Sequence, residues 1–216
     1  MPEETRELAM FPLGSVLFPG MPLPLRGFEP RYVEMLSTVL GSADREFGVV
    51  LIERGSEVGG GDVRFDVGTV ARVETVQIGE GSIVLLARGG ARVRVVDWLA
   101  EDPFPRARVT ELPELQVDAG ELEAMTAAER VVRETLTRLS EFVELPWPPD
   151  VALSDDAAAR LWQLAAIAPL GPLDQQTLLR STSTQTLLAR LVEETHAAGE
   201  GIAAGWTGEP DDDEPL

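Results

Sequence analysis

The stretch Phe11–Tyr32, FPLGSVLFPGMPLPLRGFEPRY, decides how the rest of the chain reads. It holds five prolines, three glycines and three phenylalanines, with aliphatic residues between them. Proline fixes φ and has no N–H to donate, so it punctuates extended chain and sits at sheet edges rather than in central ladders. Met21 to Leu25 alternates apolar residues with proline, which predicts an extended edge segment. Val16-Leu17-Phe18 is a short apolar run stopped by the turn pair Pro19-Gly20. Pro30 suits the first turn of a helix, with Glu29 beside the positive end of the dipole. Tyr32, Met35, Leu36 and Val39 follow at helical spacing, and Gly41 closes that helix. Upstream, Leu8–Leu13 reads as a first strand ending at Gly14-Ser15.

Downstream the pattern is short strands between glycines. Phe47–Ile52 is a buried strand by length and β-branching. Glu53–Asp62, with Gly55 and Gly59-Gly60-Gly61, is expected as a flexible loop. Asp66–Thr75 alternates on Val67, Val70 and Val73. Gly79–Gly81 predicts a tight turn into the strand Ser82–Ala87, and Gly89-Gly90 a second turn into Ala91–Val96. In that last segment Val93 and Val95 face one way, Arg92 and Arg94 the other. Ala107–Leu112 is the final strand. Regular short strands with glycine turns argue for a small twisted barrel or sandwich.

The period then changes. Leu122, Met125, Val132, Leu136, Leu139 and Val143 mark one long amphipathic helix, ended by Pro146, Pro148 and Pro149. Ser154 is expected to cap a second helix, with Asp155-Asp156 in its first turn and Leu161, Leu164, Ala165 and Ala168 as its buried stripe. Asp174 is expected to cap a third, holding Leu178 and Leu179. Ser183 is expected to cap a fourth, with Leu187, Leu188, Leu191 and Val192 on one face. The organisation expected is therefore α+β: a β-rich unit with one early helix over residues 1–115, a helical unit over 116–198, and a disordered acidic tail over 199–216.

Composition excludes several chemistries. All eighteen basic residues are arginine, so neither a Walker A lysine nor a Ser-Lys dyad or Schiff base can exist in this sequence. There is no cysteine and a single histidine, His196, which leaves no thiol catalysis and makes a zinc site improbable. A net charge of -19 predicts repulsion from phosphate backbones and anionic lipid. The N-terminus MPEETRE has no apolar run behind a basic region, and no apolar stretch approaches the ~20 residues that span a bilayer, so a cytoplasmic protein is expected.

The motifs together resemble the N-terminal, substrate-binding domain of Lon proteases. The resemblance runs from Phe11-Pro12-Leu13 through Val16–Met21 and Leu23-Pro24-Leu25 to Phe28-Glu29-Pro30-Arg31-Tyr32. It continues at Phe47–Val50, Val67–Ala71, Gly89 with Arg92–Val95, Pro103-Phe104 and Ala107–Val109, and more weakly at Asp174-Gln175-Gln176 with Leu178-Leu179. It covers about residues 8 to 198. It implies a PUA-like β pseudo-barrel followed by an α-helical bundle, and a stand-alone, non-catalytic module that binds proteins or unfolded peptide segments, in substrate recognition or as an adaptor in proteolysis. The chain is expected to stop before any ATPase or protease domain. The alternatives are RNA binding through the PUA-like barrel, or an uncharacterised peptidase-related enzyme.

Single residues sharpen this. Ser15, Ser56 and Ser82 follow glycines but none stands in Gly-x-Ser-x-Gly, so they read as turn serines. His196 is expected near the C-terminal end of the last helix, where a cation suits the dipole. Gly59-Gly60-Gly61 lacks the helix N-terminus of a phosphate cradle. Asp211–Glu214 reads as solvated tail. No catalytic residue, metal or cofactor is expected. Arg88, Arg92, Arg94, Arg106 and Arg108 fall on two strands as a possible basic patch, although arginines among many acids usually form surface pairs. The candidate peptide contacts are Met21, Leu23, Phe28, Arg31 and Tyr32, while Phe11 and Phe18 are expected in the barrel core.

Overall fold

The computed structural model describes residues 4–54, 63–79 and 82–206. Its order is β1 (Thr5–Leu13), β2 (Pro22–Gly27), α1 (Pro30–Gly41), β3 (Glu46–Arg54), β4 (Val63–Gly79), β5 (Ser82–Trp98), β6 (Arg106–Glu111), then four helices. These are α2 (Ala119–Leu139), α3 (Ala157–Ile167), α4 (Pro172–Leu179) and α5 (Thr184–Trp206). The strands form one mixed sheet in the order β2-β5-β4-β3-β1-β6, and β5 also pairs with β6. That extra pairing closes five strands into a ring and leaves β2 as an added edge. Only β1 and β3 run parallel; the remaining pairs are antiparallel.

Strand alternation feeds two clusters. Leu8 and Met10 of β1 join Val50, Val70, Val93, Ala107 and Val109. Phe11 and Leu13, on the opposite face, join Tyr32, Met35, Leu36 and Val39 of α1 together with Phe47, Val49, Ala71, Ile83 and Leu85. A period of two permits this, because each successive side chain changes face.

One expectation fails here in an instructive way. Gly89-Gly90 is not a turn; β5 runs unbroken from Ser82 to Trp98. Thr69 pairs with Arg92 and Ala71 with Gly89, so two residues of β5 stand opposite one of β4, which is a β-bulge. The extra residue changes the parity of the strand. Ile83, Leu85 and Ala87 serve the α1 cluster, yet Val93, at the same odd spacing, serves the other. Gly89 has a separate reason to be glycine: a Cβ there would collide with the Phe18 carbonyl oxygen. The segment before β2 lies across β5, with Gly20 N–H donating to Gly89 O (2.8 Å) and Gly89 N–H to Met21 O (2.9 Å).

Other boundaries also move. β1, β3 and β4 are longer than their apolar runs, and Val16-Leu17-Phe18 is irregular, held by the Thr69 hydroxyl on Leu17 O at 2.6 Å. Residues 55–62 of the expected loop and 80–81 of the expected turn lie outside the described residues. α2 starts at a capping box made by Asp118 and Glu121 and ends at Leu139, well before the prolines. Leu122 and Val143 are exposed. Asp156, not Ser154, caps α3, while Ser154 Oγ accepts from Asp156 N–H. α4 begins at Pro172 behind Gly171, so Asp174 lies inside its first turn instead of capping it. Ser183 does cap α5, accepting from Thr186 N–H. α5 runs through Gly199 to Trp206 where a disordered tail was expected. Gly199 is buried against α2, where any Cβ would meet Arg138 and Thr135, so it serves helix packing rather than helix ending. Residues 207–216 lie outside the described residues.

The helices form a third cluster, built on Met125, Val132, Leu136, Leu161, Leu164, Leu178, Leu187 and Leu191. Phe18 belongs to it, not to the barrel core: its ring stacks on Trp162 at 5.9 Å. Arg92 joins the two halves. It is 5% exposed, and its guanidinium donates to Leu179 O (2.9 Å), Ser181 O (2.7 Å) and Pro113 O (2.7 Å). It also lies 5.0 Å from the Trp162 ring centre. Gln176 Nε2 donates to Val67 O (2.9 Å), the reverse bond from helix to barrel.

Two carboxylates tie elements by arginine. Glu46 accepts from Arg6 and Arg72; Glu129 accepts from Arg133 of its own helix and Arg160 of α3. Burial pushes each carboxyl up, but the arginine hydrogen bonds and charges outweigh it, and both end below the usual carboxylate value.

Arg92→Met leaves three main-chain carbonyls without their donor, and we expect a loss of roughly 3–5 kcal/mol in urea unfolding. A loss under about 1 kcal/mol would contradict the clamp. A carboxylate whose folded pKa is depressed contributes fully above its unfolded value and loses that contribution as pH falls through the folded one. Stability is therefore expected to hold at neutral pH and to fall below about pH 4.5. Thermal melts of the E46Q/E129Q double variant should show lower stability at pH 7 and a shallower decline in acid.

Candidate functional site

The proline-rich stretch and the start of α1 border one small apolar groove. Its volume is about 190 Å³, and Phe11, Leu13, Leu25, Gly27, Phe28 and Tyr32 are among its walls. Phe11 and Tyr32 stack face to face, ring centres 4.2 Å apart and planes 7° off parallel. Phe28 stands at the groove 61% exposed, although it is a large apolar side chain. Glu29 and Arg26 supply the polar rim. Arg31 lies over the Tyr32 ring at 4.6 Å and reaches Glu29 (3.3 Å) and Glu101 (2.9 Å).

Volume decides what the groove can take. Pockets for whole small molecules run to about 300–1,000 Å³. At about 190 Å³ this one has room for an apolar side chain, not for a cofactor. β2 adds a second constraint. It is an edge strand whose prolines at 22 and 24 carry no N–H. A peptide strand cannot extend the sheet through donors that do not exist. The groove therefore offers side-chain recognition.

The five candidate contacts are divided by the structure. Phe28 is exposed on the groove. Tyr32 lines it but is 3% exposed, so it is floor and core together. Arg31 is part-buried in ion pairs beside it. Met21 and Leu23 are half-buried against the hydrophobic clusters and are not among the groove's walls. Phe11, Leu13 and Leu25 are walls that the sequence reading missed. The alternation through Met21–Leu25 contained Leu25, and the first strand contained Phe11 and Leu13.

Of the five arginines expected as a patch, Arg94 is exposed and the other four are buried or paired with acids. Arg92 is buried. Arg88 pairs with Glu74 at 2.5 Å, Arg106 with Glu7 at 3.0 Å and Arg108 with Asp97 at 2.6 Å. His196 is exposed ten residues before the end of α5, not in its last turn. Among the described residues, no group of three or more His, Asp or Glu side chains could hold a metal ion, and no helix is long and apolar enough to cross a membrane.

The model of the ATP-dependent protease La (LON) substrate-binding domain matches residues 7–196. The chain belongs to the LON substrate-binding domain family. Lon protease 2 of Herpetosiphon aurantiacus is 32% identical over 198 residues, covering 87% of this chain and 23% of that protein. Lon protease 2 of Sorangium cellulosum is 34% identical over 126 residues, covering 56% of this chain and 16% of that protein. The chain thus spans about a quarter or less of the length of these relatives. Among solved structures, the Lon N-terminal domain protein of Xanthomonas campestris superposes with a TM-score of 0.62 at 27% identity, covering 87% of this chain and 98% of that one. The N-terminal domain of Mycobacterium avium complex Lon protease shares the fold, with a TM-score of 0.64 over 88% of this chain and 98% of its own.

The LON domain's groove makes opposite demands on its buried Tyr32 and its exposed Phe28. Tyr32→Ala removes a ring stacked in the core and is expected to cost about 3–5 kcal/mol in chemical denaturation. Phe28→Ala should stay within about 0.5 kcal/mol of the parent, because its exposed side chain adds little to packing.

Proposed function

We propose that this chain is a non-catalytic binding module that captures exposed apolar side chains of protein or unfolded peptide segments at the Phe28 groove. The observation that carries the reading is Phe28: an aromatic side chain left 61% exposed on a preformed apolar groove. Aromatic side chains are enriched in the contact surfaces of protein interfaces. Family membership supports the same direction, since the matched model is the substrate-binding domain of an ATP-dependent protease. Absence of lysine from the sequence supports a non-catalytic role, as neither a Walker A loop nor a Ser-Lys dyad can be assembled from these residues. The pairing and burial of the strand arginines speaks against the nucleic-acid alternative. The reading includes a PUA-like barrel for residues 1–115, a helical bundle from 116, and a cytoplasmic, cofactor-free module that hands substrates to a proteolytic partner.

The test is fluorescence anisotropy with labelled unfolded peptides rich in Phe and Leu. Phe28→Asp places a charge on the groove and should weaken binding at least tenfold, with thermal stability unchanged. Equal affinity of parent and variant would rule out this groove as the contact.

A further inference from the structure

A second cavity lies where barrel and helices meet. It measures about 210 Å³. Arg92 and Trp162 are among its walls, with Leu115, Ala158, Ala159 and Glu114. Arg92 is the unusual member. A buried charge is normally matched by an opposite one. Arg92 is 5% exposed, yet its partners are the main-chain carbonyls of Leu179, Ser181 and Pro113. Among the described residues it makes no ion pair, although the other buried or half-buried arginines of the barrel do. Glu114 borders the cavity without pairing to it. Two of the guanidinium's five N–H groups remain after its three bonds. Desolvation without a counter-anion is also the cause that lowers the pKa of this guanidinium.

The remaining walls say what kind of anion fits. Trp162, Leu115, Ala158 and Ala159 are apolar or small. One buried cation among mostly apolar walls, with Glu114 exposed, suits one carboxylate carried on a small apolar group. A phosphate or nucleic acid would need more cations and would meet the repulsion of a chain at -19. Ala158 and Ala159 belong to the first turn of α3, so the start of that helix borders the cavity, with the Asp156 carboxylate capping it at Ala159 N–H (2.8 Å).

We propose that this cavity receives the C-terminal carboxylate of a bound peptide, with Arg92 as its counter-ion. The proposal rests on the peptide-binding reading above and adds a second point of contact to it: a free chain end at Arg92, distinct from an apolar side chain at Phe28. A guanidinium matches a carboxylate in geometry as well as charge.

The experiment is calorimetric titration of the full chain with an octapeptide ending in Ala-Val, as the free acid and as the C-terminal amide. The free acid is expected to bind at least tenfold more tightly. Ala158→Glu sets a carboxylate on the cavity wall at an exposed position where an acid suits the helix dipole, so the variant keeps its fold. It should abolish the preference for the acid, whereas Phe28→Asp should weaken both peptides and leave their ratio unchanged. Equal affinity of acid and amide, with both lost in Phe28→Asp, overturns the carboxylate site and leaves the Phe28 groove standing. An acid preference that survives Ala158→Glu also overturns it. No binding of either peptide overturns both readings.

Discussion

Arg92 makes the largest set of directional bonds described between the two halves of this molecule. Arg92 sits on a strand of the barrel, and all three of its hydrogen bonds go to main-chain carbonyls at the seam and beyond it. Carbonyls at the ends of helices and in linkers need donors once buried. A guanidinium can serve three of them at once because its donors diverge in a plane. Hydrophobic packing alone, through Phe18 on Trp162, would bring the halves together without fixing their angle. The directional bonds supply that angle.

Arg92 reaches the seam because of the bulge two residues earlier. Without the extra residue at Gly90-Ala91, the alternation of β5 would present Arg92 to the opposite face and Val93 to the helices. Gly89, just before the bulge, lets the segment 16–20 cross β5 closely, and Phe18 of that segment joins the helical cluster. The entry of Phe18 and the placement of the cation thus sit side by side on β5.

Much of the fold was readable because it is local. The helix from Pro30, its buried stripe Tyr32, Met35, Leu36 and Val39, and the valine alternation of the strands follow from period and from proline. What could not be read depended on partners distant in sequence. A Gly-Gly pair looks the same before a turn and in a bulge. Arg92 and Arg94 alternate with valines, and nothing local tells that one is buried by helices almost ninety residues on. Gly199 reads as a helix end until its packing against Arg138 is known. In the candidate site, Tyr32 could have been assigned to the core from its place in the helical stripe, whereas Phe28 lies outside every periodic pattern, and only the structure shows its exposure.

The prolines of β2 have a consequence for solution behaviour. An open sheet edge is a template on which other chains can grow. With Pro22 and Pro24 in its outermost strand, this sheet gives such a chain too few donors to continue the ladder. Contact beside β2 therefore falls mainly to side chains, and the edge is a poor template for strand growth.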